Sequence, residues 1–184
     1  MIEYRPIKAA DLPLIKELYA RHLNSGKLIA QQIDLCWREG SYVGYTAKEE
    51  GELLGFLTVR PGIDFTYPHP ELEAELADFV GEKRLAMCDA LLVLPGFRNE
   101  GVAHVLAERI RELLIQMSYD YFLEEIWIYP DGSIPAKKAL ESIGRVVWRR
   151  RYDSFYRELD KYDMSCPICG RDCVCGAWVE VLEL

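Results

Sequence analysis

Residues 84–117 constrain the fold of this chain more than any other stretch. Over 84–94 the residues are almost all apolar, which is how a strand buried on both faces reads. Pro95 cannot donate to a ladder and so stops the pairing. Over 99–117, Val102, Val105, Leu106, Ile110, Leu113 and Leu114 recur as one apolar stripe on a helix. A central strand, a tight turn and a helix in succession place the helix's unpaired N–H groups, and the positive end of its dipole, at the tip of the sheet. That is a ready site for a pyrophosphate. Gly101 and Ala103 let the backbone come close, and Arg98 can add a charge-assisted contact.

The remaining pattern surrounds this unit with a mixed sheet. Residues 2–7 alternate as a strand. Asp11 is placed to cap a helix in which Leu14, Ile15, Leu18 and Tyr19 recur, and a second helix follows over 27–38. Runs 41–48 and 52–59, joined by Glu49-Glu50-Gly51, read as a hairpin. Residues 61–83 hold three prolines and a short acidic helical piece, an insertion lying across the domain. A strand over 122–129, a short helix over 135–143 and a hairpin of 145–151 with 154–159 complete the order. The expectation is an α/β (α+β) fold with a mixed, mostly antiparallel sheet and helices on both faces. Residues 1–160 form the main domain, and 161–184 a Cys-rich tail with a strand-like end at 177–184.

The chain has 184 residues and a formal net charge of −8, which argues against nucleic acid as the main partner. The apolar runs fall short of the ~20 residues of a membrane helix. No secretory pattern opens the sequence, so no membrane association and a cytoplasmic location are expected.

The motif V-x-P-x-[FY]-R-x-x-G-[IVL]-[AG] is present as Val93, Pro95, Phe97, Arg98, Gly101, Val102 and Ala103. It resembles the acetyl-CoA motif of the GNAT (GCN5-related N-acetyltransferase) superfamily, and the element order over residues 1–160 is similar to that family's as well. The resemblance implies a V-shaped opening between the fourth and fifth strands. The pantetheine arm of acetyl-CoA would pair with the backbone of Leu91, Leu92 and Val93. The amides of Asn99, Glu100, Gly101, Val102, Ala103 and His104, with Arg98, would hold the pyrophosphate. It also implies direct acetyl transfer to a primary amine, of a small molecule or a peptide, in a ternary complex. The alternative is a non-catalytic CoA- or protein-binding module of the same fold, with a metal- or redox-sensing tail.

An alkylammonium with a pKa near ~10 costs about 4 kcal/mol to present as neutral amine at pH 7, so transfer needs a base. Asp89, four residues before Val93, is the candidate; the competing reading is a structural carboxylate paired with Lys83 or Arg84. The family's usual tyrosine acid is replaced by Leu140, and its usual asparagine by Ser133, which stays a candidate cofactor contact. Tyr129 can substitute as the acid, or simply pack. His22, His69 and His104 form no spaced set. Asp64, Glu71, Glu73, Glu75 and Asp78 are either an acidic lid favouring a cationic acceptor or a solvated helix face.

Six cysteines are present. Cys36 and Cys88 lie singly in apolar stretches and read as structural thiols. Cys166, Cys169, Cys173 and Cys175 form C-x2-C-x3-C-x-C, beginning with the C-P-x-C-G knuckle of zinc ribbons. Four thiolates can close a zinc site; another metal, an iron–sulfur cluster, free thiols, or a site shared across a homodimer stay open.

Overall fold

In the computed structural model, which describes residues 1–63, 65 and 69–184, these residues form one seven-stranded sheet and five α-helices. The strands are β1 (Glu3–Pro6), β2 (Val43–Glu49), β3 (Glu52–Pro61), β4 (Leu85–Val93), β5 (Tyr121–Ile128), β6 (Arg145–Tyr152) and β7 (Gly176–Glu183). The helices are α1 (Leu12–His22), α2 (Lys27–Arg38), α3 (Pro70–Val80), α4 (Val102–Gln116) and α5 (Lys137–Leu140). The strand order is β1-β2-β3-β4-β5-β7-β6, antiparallel throughout except for the parallel pair β4–β5. No described helix is long and apolar enough to cross a membrane.

Helices cover both faces, as expected. Ile15 and Leu18 of α1, Ile29 and Ile33 of α2, and Leu72 and Leu76 of α3 pack on one face of the sheet. Leu106, Ile110 and Leu114 of α4, with Leu140 of α5, pack on the other. The β2–β3 hairpin turns through Glu50 and Gly51, both at positive φ, which suits the right-handed twist of its strands.

Three expectations change. Asp11 does not cap α1 with its side chain. It is buried instead, ion-paired with Arg5 at 2.9 Å and Lys48 at 2.7 Å, and accepts the Lys8 N–H at 2.8 Å. The helix expected from residue 99 begins at Val102, because Asn99 and Gly101 stand at φ +65° and +82° and turn the chain first.

The third change concerns the end of the chain. Residues 154–159 are not a strand: the chain turns at Ser154, which has φ +55°, and Phe155 and Tyr156 are buried within that turn. The partner of β6 is β7, which enters between β5 and β6 with Ile126 opposite Trp178 and Arg151 opposite Trp178 on its other edge. The strand-like end of the Cys-rich tail is thus a strand of the main sheet. The segment between Tyr152 and Gly176 links the paired strands β6 and β7.

Candidate active site

β4 and β5 pair only at Leu85–Tyr121, Ala86–Phe122 and Met87–Leu123. Beyond that point β4 runs on to Val93 and β5 to Ile128 without pairing, so the sheet splits open in its middle. The opening is a cleft of about 750 Å³, a size usual for a cofactor or ligand site. Its β4 wall is Met87–Val93, and the unpaired backbone there is an edge to which an extended ligand can add.

Phe97, Arg98, Asn99, Gly101, Val102, Ala103 and His104 line the end of the cleft where β4 gives way to α4. The first backbone bond of α4 runs from the Val105 N–H to the Gly101 carbonyl, 3.1 Å. The amides of Val102 to His104 therefore have no carbonyl within the helix to donate to. Arg98 donates its Nε–H to the Val93 carbonyl at 3.0 Å, which locks the turn onto the strand end. Leu91, Leu92 and Val93 line the cleft; Glu100 and Ser133 are exposed and do not. Ser133 sits in the turn after β5, its carbonyl accepting the Tyr129 N–H at 2.9 Å.

Asp89 lies at a β-bulge: Thr58 pairs with Ala90 and Val59 with Cys88, so no residue of β3 stands opposite it. Its carboxylate is nearly fully buried and ion-paired with Arg60 at 2.9 Å. It also accepts from Tyr42 at 3.0 Å and Thr58 at 3.1 Å. Neither Lys83 nor Arg84 is its partner. Lys83 pairs with Asp120 at 3.5 Å, and Arg84 donates to the Met117 carbonyl. Asp89 therefore faces the cleft with its oxygens already engaged.

Glu125 is the residue that the sequence reading overlooked. It lies two residues past the last β5 pair, as Asp89 lies two past the last β4 pair, and it lines the cleft. Burial pushes its carboxyl up to about 7, against the opposing effects of the Tyr156 hydroxyl and the Arg60 charge. Tyr156 is buried and donates its hydroxyl to Glu125 Oε1 at 2.5 Å. Alternation along β5 sends the neighbouring Glu124 to the opposite face, beside Glu180, which pairs with Arg149 at 2.6 Å. A Glu-Glu pair in a strand is the only trace of this site in the sequence, and it does not say which of the two faces the cleft.

Tyr129 also lines the cleft, four residues and about 13 Å of strand beyond Glu125. Burial raises its pKa; the Arg98 charge works in the other direction. Tyr129 and Glu125 are thus at opposite ends of the opening. Cys88 lines the cleft too, its thiol pushed up by burial. His22 and His104 line the rim, His104 beside Glu108 at 3.5 Å. His69 is stacked on Phe155, centroids 4.0 Å apart. Glu71, Glu73, Glu75 and Asp78 do not line the cleft, and Asp64 lies outside the described residues. Glu75 pairs with Arg150, and Glu73 accepts the His69 N–H at 3.0 Å at the start of α3.

The Sγ atoms of Cys166, Cys169, Cys173 and Cys175 lie within 4.8 Å of one another. A zinc ion with ~2.3 Å bonds in a tetrahedron sets its sulfurs about 3.8 Å apart. The separations of 3.9 Å for Cys166–Cys175 and 3.5 Å for Cys169–Cys175 fit that spacing.

Comparison with known proteins agrees with this geometry. No curated protein sequence matches the chain. Among solved structures it is similar to Arabidopsis thaliana NAA60 in complex with acetyl-CoA, at 18% identity and TM-score 0.70, over 100% of this chain and 99% of that one. It is also similar to the chain of a NatC complex bound to Gag peptide and CoA, at 16% identity and TM-score 0.66, over 100% and 98%. A third is the Escherichia coli ribosomal-protein-S18-alanine N-acetyltransferase, at 14% identity and TM-score 0.63, over 100% and 94%. At these identities the likeness is one of fold. The model of the acetyltransferase (GNAT) family matches residues 12–144, most of the chain, and the protein belongs to that family.

Proposed function

We propose that the chain transfers an acetyl group from acetyl-CoA to the α-amine of a peptide or protein, with Glu125 as general base. The observation that carries this reading is the position of Glu125 in the split of the sheet, with a carboxyl pushed up to about 7.

Acetyl-CoA would lie along the Leu91–Val93 edge, its pyrophosphate against the start of α4 and Arg98, and its thioester toward the narrow end of the cleft where β4 and β5 still pair. Glu125 stands at that end. The amine nitrogen attacks the thioester carbonyl directly and forms the C–N bond. The C–S bond breaks, so that CoA leaves as its thiolate and takes a proton from solvent, and Glu125 takes the proton that the amine must lose. A proton acceptor works best when its pKa lies near both the working pH and its donor. An α-amine, with a pKa of about 8, is within about one unit of Glu125; a lysine side chain, at about 10.4, is not. The difference amounts to about 3 kcal/mol in supplying the neutral nucleophile. Two of the proteins similar in fold, the NatC complex bound to Gag peptide and the ribosomal-protein-S18-alanine N-acetyltransferase, support the same class of acceptor.

Asp89 and Arg60 set the field in which Glu125 titrates. The Arg60 charge lowers Glu125 and is itself held by Asp89. Tyr129, beside Arg98, serves the cofactor end of the cleft rather than the amine. Its raised pKa keeps the phenol protonated and able to donate a hydrogen bond there.

The test is acetyl transfer to a panel of peptides with free and blocked N-termini, followed by CoA release and by mass. Transfer to free N-termini and not to lysine ε-amines supports the reading. Acetyl-CoA binding with no transfer to any peptide would favour a binding module of the same fold.

A further inference from the structure

We propose that Cys166, Cys169, Cys173 and Cys175 bind one zinc ion, and that this ion fastens the α1–α2 link forming the acceptor-side wall of the cleft. The first half stands on the cysteine geometry alone; the second rests on the cleft being the acceptor site.

The site has the features of a built one. Its four sulfurs come from two turns and lie at tetrahedral spacing. Cys166, Cys173 and Cys175 are buried, while Cys169 is partly exposed and leaves a path for entry. The knuckle is closed by reciprocal backbone bonds between Cys166 and Gly170, at 3.0 and 2.9 Å. The Ile168 N–H points at Cys166 Sγ, 3.4 Å away, the contact that steadies a metal-bound thiolate. Sulfurs at 3.5 to 3.9 Å are not disulfide-bonded, since that bond is about 2.05 Å long.

The cluster's place in the fold gives the ion its second role. Cys175 precedes Gly176, where β7 begins beside Ile128 of β5, so one end of the site is fixed in the sheet. Cys166 follows Ser165, which bridges to Ser25 between α1 and α2: the Ser165 N–H donates to the Ser25 carbonyl at 3.1 Å, and the Ser25 N–H donates back at 3.3 Å. The Ser165 N–H also reaches Asn24 Oδ1 at 3.2 Å. A Cβ on Gly26 would stand only 3.0 Å from the Asp163 carbonyl and from Met164 Cγ, so the link packs closely against the Asp163–Met164 stretch just before Ser165. His22, Leu23 and Asn24 line the cleft on that side. Between Tyr152 and Gly176 the described chain has no ladder of its own beyond single bridges. Four metal–sulfur bonds would tie this segment together where it has no strand ladder, and through Ser165 would hold Asn24 and Ser25.

The experiment uses the full chain and needs no turnover. Elemental analysis of the purified protein is expected to give one zinc per chain. Treatment with a zinc chelator is expected to speed amide hydrogen exchange at residues 23–26 and 163–170 by roughly tenfold or more, while β3 and β4 stay protected. Adding zinc back is expected to restore the slow exchange. Cys169→Ser should lose the metal and show the same exchange pattern; if that variant does not fold, reversible chelation of the wild-type protein decides. A protein that binds no zinc when supplied with it, or that carries iron with inorganic sulfide, overturns the proposal. So does a zinc-loaded protein whose exchange at 23–26 is unchanged by chelation. An acetyl-CoA melting shift, measured alongside, reports on the cofactor site separately: its absence from the zinc-loaded protein would count against the transferase reading and leave the metal result standing.

Discussion

Asp89 and Glu125 each stand two residues beyond the last pair that holds β4 to β5, one on either lip of the split sheet. Their surroundings separate them. Asp89 is buried against Arg60, Tyr42 and Thr58. Glu125 has the Tyr156 hydroxyl and a carboxyl pushed up to about 7. In the proposed reading the two carboxylates take different tasks, Asp89 as the ion-pair partner of Arg60 and Glu125 as the proton acceptor.

Asp89→Asn should act mainly on stability. Arg60 is 3% exposed, and the substitution removes the carboxylate charge that stands 2.9 Å from its guanidinium inside the protein. That costs about 3–5 kcal/mol, a fall in melting temperature of roughly 6–20 °C. Thermal unfolding of the variant checks it. A variant as stable as the parent that has lost its pH–rate limb would return the role of base to Asp89.

Gly101→Ala should weaken acetyl-CoA more than it weakens the fold. The position has φ +82°, where a side chain costs about 1–2 kcal/mol. A Cβ there meets no protein atom within 4 Å, so the added methyl crowds only what binds at the start of α4. A modest fall in melting temperature, with acetyl-CoA affinity down roughly tenfold, is expected by calorimetry; tenfold corresponds to about 1.4 kcal/mol. Unchanged affinity would place the pyrophosphate elsewhere.

Asp11 should make stability acid-sensitive at the edge of the sheet. Burial pushes its carboxyl up, but Arg5, Lys48 and the Lys8 amide outweigh that and hold it at about 2. Its folded pKa lies below the unfolded value of 3.8, so its contribution is complete above about pH 4 and is lost as pH falls toward 2. The contribution is about 2–3 kcal/mol. Denaturant melts of wild type and Asp11→Asn from pH 2 to 6 should converge at the acid end. A gap between them that does not narrow would contradict this.

The residues that are local in sequence were the legible ones. The buried run of β4, Pro95, Gly101 and the stripe of α4 lie within about thirty positions, and together they disclosed the strand, the turn and the helix. The strand at 177–184 was legible too, yet not its place: entry between β5 and β6 is a long-range pairing that alternation alone cannot specify. Residues 154–159, expected as the second strand of a hairpin, hold the buried Phe155-Tyr156 pair in a turn. The charges of the site were hidden for a similar reason. Arg60 meets Asp89 where β3 pairs with β4 through a bulge, and Glu125 meets Tyr156 through the turn that follows β6, thirty-one residues further along the chain. The four cysteines, close in sequence, were legible as a group, and the structure brings all four sulfurs together.

The most direct test is the pH dependence of kcat/KM for acetyl transfer to a peptide α-amine, measured for wild type and Glu125→Gln. Wild type should rise with pH through a limb at about 7, where the Glu125 carboxyl loses its proton. Glu125→Gln should lose that limb and about a hundredfold to ten-thousandfold in rate, while still binding acetyl-CoA. A variant that keeps both the limb and the rate would contradict Glu125 as the base of this site.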